Sequence, residues 1–168
     1  MRFVKLALIS LVVLFVLTTC IGLLFSSKVV VTRLITLKQP PAKVMAAAGD
    51  ISQWGNWMEG VKENGLTVTK GDGKTVQSVA AIGTTTITVT AADAQQFLTT
   101  WRSARGYEQH SGFVLSPDAA GTSTTVTWFF EQDLKWYPWE RFGSMMNDKI
   151  LGPTMEKGLE GLKKFVSN

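Results

Sequence analysis

A run of 20 residues, Leu6 to Phe25, carries no charged side chain and sits just behind Arg2 and Lys5. As a helix rising about 1.5 Å per residue it spans roughly 30 Å, the hydrocarbon thickness of a bilayer. Ser10, Thr18 and Thr19 are hydroxyl residues that can bond back to their own helix, so none of them forbids burial in lipid. Three other assignments compete. A cleaved signal peptide has an apolar core of about 7–15 residues followed by small residues at a cleavage site, whereas Leu24-Phe25-Ser26-Ser27-Lys28 offers no A-x-A pattern. Leu17-Thr18-Thr19-Cys20 suggests a lipid-modified cysteine, but Thr19 is bulky for that position and the apolar run continues to Phe25. A core helix of a soluble protein needs a face for solvent, and this run is apolar on every side.

The chain therefore reads as residues 1–28, an N-terminal transmembrane anchor crossing the membrane through residues 6–25, and residues 29–168, one domain. Arg2 and Lys5 precede the span while Lys28, Arg33 and Lys38 follow it, so positive charge nearly balances across it. The short basic tail is that of a signal anchor, which places the domain on the extracytoplasmic side of a single-pass membrane protein.

Charge excludes one class of partner. Of 17 Lys and Arg, Arg2, Lys5 and Lys28 flank the span, and all 13 acidic residues lie beyond it. The domain keeps 14 basic residues against those 13, so no basic field for nucleic acid remains. Cys20, the only cysteine, lies inside the span, which excludes disulfides within the domain and a zinc-type cysteine cluster. His110 is the only histidine, so paired-histidine metal chemistry is excluded too, and neither a metal nor a cofactor is expected.

Periodicity organises the domain. Val29–Leu37 is rich in β-branched residues and ends at Gln39-Pro40-Pro41, the signature of a first strand. Pro40-Pro41 opens a short helix over Ala42–Ala48, and Asp50 can cap a second short segment bearing Trp54 and Trp57. Strands are expected over Thr67–Thr69, Thr75–Ala81, Thr84–Ala91, Phe97–Ala104, Gln109–Leu115 and Thr124–Lys135, joined by short connections that favour antiparallel meanders. From Trp139 to Phe165 apolar residues recur at helical spacing, at Phe142, Met145, Met146, Ile150, Met155, Leu159, Leu162 and Phe165. Gly152-Pro153 interrupts that pattern, and proline costs about 3 kcal/mol inside a helix, so a kink or break is expected there.

One strand, two short helices, antiparallel strands and a long C-terminal helix form the order of the helix-grip fold, an α+β architecture. Specific residues add a family resemblance. The strand Val30-Val31-Thr32-Arg33-Leu34-Ile35 leads to Pro40-Pro41-Ala42-Lys43-Val44-Met45 and then to Asp50-Ile51-Ser52-Gln53-Trp54-Gly55-Asn56-Trp57. Near the other end stand Asp148-Lys149-Ile150-Leu151-Gly152-Pro153 and Glu156-Lys157-Gly158-Leu159-Glu160-Gly161-Leu162. This succession resembles the START-like (SRPBCC, polyketide cyclase/dehydrase) superfamily, in its subgroup with a single N-terminal span. The resemblance implies a curved sheet gripping the last helix, with an apolar cavity between them that takes lipids, sterols, polyketides or other hydrophobic molecules. It carries no universal catalytic signature, so no catalytic residue transfers by position.

The residues expected to line such a cavity are Trp101, Phe113, Trp128 and Phe130 on strands and Phe142, Met145 and Met146 on the helix, where thioethers adapt to irregular shapes. For any one of them ordinary core packing is the commoner explanation. Trp136, Tyr137 and Trp139 form a cluster suited to a cavity mouth, a membrane interface or a packed corner. For chemistry the candidate is His110, whose ordinary pKa of about 6.5 suits proton transfer, although Arg105, Tyr107 and Glu108 beside it mark a polar hairpin tip. Three functions follow: a membrane-tethered binder of a hydrophobic small molecule or lipid, a cyclase/dehydratase-type enzyme, or an interaction module filled by its own side chains. An enzyme of that kind needs a titratable group pointing into the cavity.

Overall fold

The computed structural model describes residues 2–168. Helix α1, Arg2–Leu23, takes up most of the apolar run. The hydroxyls of Thr18 and Thr19 donate to the carbonyls of Leu14 and Phe15 at 2.7–3.0 Å, so the polar groups are satisfied within the helix. Along α1 only Thr18, Thr19 and Gly22 are shielded by the rest of the chain.

Strand β1 (Lys28–Leu37) follows. Pro41 then occupies the first turn of α2 (Pro41–Ala48), where its missing amide removes no bond. Asp50 acts as the expected cap: its carboxylate accepts the Ser52 amide at 3.0 Å and starts the 3₁₀ turn Ile51–Gln53. Two short helices follow, α3 (Trp54–Trp57) and α4 (Glu59–Asn64). Six strands complete the sheet: β2 (Leu66–Lys70), β3 (Val79–Ile82), β4 (Thr85–Ala92), β5 (Gln96–Ser103), β6 (Glu108–Pro117) and β7 (Thr124–Asp133). All seven pair antiparallel in the order β1-β7-β6-β5-β4-β3-β2. Register shifts between Val68 and Lys70 and between Val89 and Ala91 bend the sheet.

One expected strand is shorter than its sequence suggests. Thr75–Ser78 form a turn, because the Asp72 carboxylate accepts the amides of Lys74 and Thr75, each at 2.9 Å. These local bonds compete with the ladder, and Gln77, at φ 69°, completes the bend before β3 begins at Val79.

The C-terminal helical segment departs from expectation more clearly. It comprises α5 (Pro138–Gly143), a 3₁₀ turn over Ser144–Met146 and α6 (Asn147–Ser167). Helix α6 runs unbroken through Pro153, so the interruption lies at Ser144–Met146 instead of Gly152-Pro153. Pro153 and Lys149 are both exposed, so the carbonyl that proline cannot serve faces water. Met155, Leu159, Leu162 and Val166 form the buried stripe of α6. Arg33 on β1 ties the other flank, donating to Glu156 at 2.7 Å and to Asp148 at 2.9 Å. Two glycines permit the close grip: Gly158 lies against the Trp128 ring and Gly161 against the Trp57 carbonyl.

Candidate ligand-binding site

The concave face of the sheet repeats every second residue, which puts Val126, Trp128 and Phe130 of β7 beside Ser111, Phe113 and Leu115 of β6 and Phe97, Thr99 and Trp101 of β5. Asp50 and the turn it caps bring Trp54 and Trp57 over this face. Seven rings then form one contiguous layer. Trp54 stacks on Trp101 (6.1 Å, 15°) and meets Phe97 and Phe113 edge-on. Trp57 meets Phe113 at 6.0 Å, Phe113 meets Trp128 at 5.1 Å, and Phe130 touches both Trp128 and Trp101.

Each indole N–H in the layer has a partner. Trp54 and Trp57 donate to the carbonyls of Ala48 and Ala47, Trp101 to the Thr99 hydroxyl at 3.0 Å, and Trp128 to the Ser111 hydroxyl at 3.1 Å. Thr99 in turn donates to the Ser111 carbonyl at 3.1 Å. The four indoles are thereby fixed in orientation, three of them buried and Trp101 half-buried, since an unpaired buried donor would cost about 1–3 kcal/mol.

Four of the expected residues, Trp101, Phe113, Trp128 and Phe130, thus come together. Phe142, Met145 and Met146 do not join them. They lie on the outer side of the helical path, where Met145 and Met146 stand 61% and 51% exposed, away from the sheet. Phe142 instead packs edge-on against Phe25, at 5.6 Å. The sheet-facing helical residues are Met155, Leu159 and Leu162. Trp54, Trp57 and Phe97 are added to the layer. Phe97 was legible as the inward member of the 97-99-101 alternation, and the tryptophans as the apolar side of the segment capped by Asp50.

His110 stands on the opposite, convex face. It is exposed, and its Nδ1 lies 3.1 Å from the Thr100 hydroxyl. It borders a polar cleft of about 420 Å³ between the β5–β6 hairpin tip and α5, with Arg105, Lys135, Tyr137 and Glu140. There the Arg102 guanidinium, 2.5 Å away, holds the Glu108 carboxyl below its ordinary pKa.

A mainly apolar groove lies elsewhere, at the surface. Its volume is about 680 Å³, within the usual size range of small-molecule sites, and it lies between α2 and the β4–β5 turn, lined by Ala42, Met45, Ala46, Ala94 and Phe97. At its rim Asp50 faces Lys74 at 3.3 Å. The groove lies over buried Phe97 at the edge of the aromatic layer. A second, smaller crevice of about 260 Å³ runs between α4 and α6 over Gly158, whose missing side chain adjoins Trp128.

A curved antiparallel sheet gripping a long C-terminal helix, with an aromatic layer between, defines a START-like protein. Residues 28–166 match the family described as polyketide cyclase / dehydrase and lipid transport, and the chain belongs to that family. No curated protein sequence matches it. Among solved structures it is similar to a protein of Thermobifida fusca, at 16% identity over 82% of this chain and 92% of the other, with a TM-score of 0.64. A protein of Nitrosospira multiformis aligns at 14% identity over 81% of this chain and 94% of its own, TM-score 0.63. A START superfamily protein from Mycobacterium smegmatis aligns at 17% identity over 82% and 97%, TM-score 0.61. At these identities the likeness is one of fold.

Proposed function

We propose that this protein is a single-pass, membrane-anchored binding domain for a hydrophobic small molecule or lipid. Residues 1–28 are the anchor and residues 29–168 the binding domain, held on the extracytoplasmic side by the short basic tail. Support for the anchor comes from α1, whose apolar side chains are exposed along nearly its whole length and so require a non-aqueous surrounding. The observation that carries the binding function is the mainly apolar 680 Å³ surface groove between α2 and the β4–β5 turn, which lies over buried Phe97 at the edge of the aromatic layer. An apolar ligand seats there against Ala42, Ala46 and Met45, whose flexible thioether conforms to it, while Asp50 and Lys74 orient a polar end. Trp101, Phe113, Trp128 and Phe130 form the wall behind. The tether serves such cargo, because the ligand partitions into the same bilayer.

The test is native mass spectrometry with organic extraction of the full chain purified from membranes, beside Ala46→Trp. Ala46 is exposed on α2 at the groove, so the new ring fills the groove without entering the core. Wild type is expected to carry a hydrophobic molecule that Ala46→Trp has lost, at equal thermal stability. Equal cargo in both proteins, or none in wild type, overturns the reading.

A further inference from the structure

Helix α5 packs on the end of α1. Pro138 and the Arg141 side chain flank Gly22, Phe142 meets Phe25 edge-on at 5.6 Å, and the Arg141 guanidinium donates to the Phe25 carbonyl. On the membrane-anchor reading above, on which this inference rests, Gly22–Phe25 mark the lipid–water boundary. Whatever touches them lies at that depth.

The outward side of this segment is apolar. Trp139, Phe142, Met146 and Ile150 follow one another at intervals of three, four and four, which is one stripe of a helical path. Trp139 is 62% exposed and Ile150 63%. Buried Arg141 and Gly152 and half-buried Leu151 lie on the other side, so the segment has two unlike faces, and the one turned from the domain is the one water should not meet. Tyr137 stacks on Trp139 at 4.9 Å and touches Trp136 at 4.8 Å, amphipathic rings of the kind enriched where membrane meets water. Lys135 and Lys149 flank the stripe and are exposed, with stems long enough to reach headgroups.

We infer that the segment from Trp136 to Ile150 lies in the lipid–water interface on the domain side of the bilayer, with Trp139, Phe142, Met146 and Ile150 in the acyl boundary. Interfacial helices bury their apolar faces about 5–10 Å into that boundary. The packing of α5 beside the last turn of α1 sets the same depth. The domain is then seated on the membrane in one pose instead of hanging from a leash.

Single cysteines in a Cys20→Ser background, labelled with an environment-sensitive fluorophore and reconstituted as full chain in nanodiscs, test this. Met146→Cys is expected to give blue-shifted emission, quenched by nitroxide on lipid acyl chains and protected from iodide. Ile150→Cys, one turn further, is expected to repeat it. Thr122→Cys, in the β6–β7 connection at the far end of the sheet, should be quenched by iodide alone. Val13→Cys reports the anchor itself. Lipid quenching at position 13 with iodide access at positions 146 and 150 overturns the inference and leaves the anchor standing. Loss of lipid quenching at position 13 overturns both.

Discussion

A Cβ built on Gly158 would stand 2.7 Å from Cζ3 of Trp128, closer than packed carbon atoms approach. The ring cannot retreat easily, because its N–H is tied to Ser111 and its faces touch Phe113 and Phe130. Gly158→Ala should therefore destabilise by about 1–3 kcal/mol as overpacking, read as a lower midpoint in urea. An unchanged midpoint would mean that α6 is free to shift. Asp72 offers a pH test. Its carboxyl is held well below the ordinary range, first by the Thr75 amide and then by the Lys74 amide. A carboxyl lowered on folding adds stability that is complete above the unfolded pKa, about 3.9, and is lost as pH falls through the folded value. The melting-temperature gap between wild type and Asp72→Ala should be full at pH 7 and narrow below about pH 4. A gap independent of pH would show that the loop is held by shape alone. The cap at Asp50 was legible in sequence because it serves the turn directly after it. The role of Asp72 was not, because the β-rich letters Thr75-Val76 outweighed a carboxylate that gathers three groups from the two residues after Gly73.

At the scale of elements, six strands and α2 lie, to within two residues, where alternation and proline placement put them. The last helix teaches a different lesson. Periodicity reports that an apolar stripe exists without saying what it faces, and the segment from Trp139 to Phe165 contains two stripes on two sides. Met155, Leu159 and Leu162 meet the core, whereas Met145, Met146 and Ile150 look outward. Nothing in residue type separates the two groups; only their position around the helical path does. Pro153 was expected to break α6 and does not, since its lost bond falls on the solvent side. Pro153→Ala should then stabilise the protein, by no more than the roughly 3 kcal/mol that separates these residues in a helix interior. The check is the melting temperature, and a decrease would show that the proline fits a bend that the grip requires.

Across the whole molecule, the joint between α1 and the rest of the chain is built from backbone carbonyls. Arg141, 8% exposed, donates to Phe25 and to Lys135, and the Leu134 amide donates to Ser27 at 2.7 Å. One guanidinium spans both carbonyls with separate nitrogens, which lysine cannot reproduce. Arg141→Lys should speed amide hydrogen exchange over residues 24–28 and 134–141 while β4–β6 stay protected; uniform protection would mean that the joint holds without it. The fold class was readable from the order of elements, and the shared face of Trp101, Phe113, Trp128 and Phe130 from strand alternation. The groove at Phe97 was not readable, because it is formed by α2 and the β4–β5 turn, which are far apart in sequence.

Strand β1 sets a condition on how the protein is made. Its only partner is β7, with Lys28 opposite Asp133 and Leu37 opposite Thr124. During synthesis β1, the first strand to emerge, waits for β7, the last, before its backbone is paired. Val29-Val30-Val31 and Leu34-Ile35 remain an open apolar edge for most of translation. Chains halted before Thr124 can close the meander of β2 to β6 but leave β1 without its partner, so closure of the sheet waits for β7.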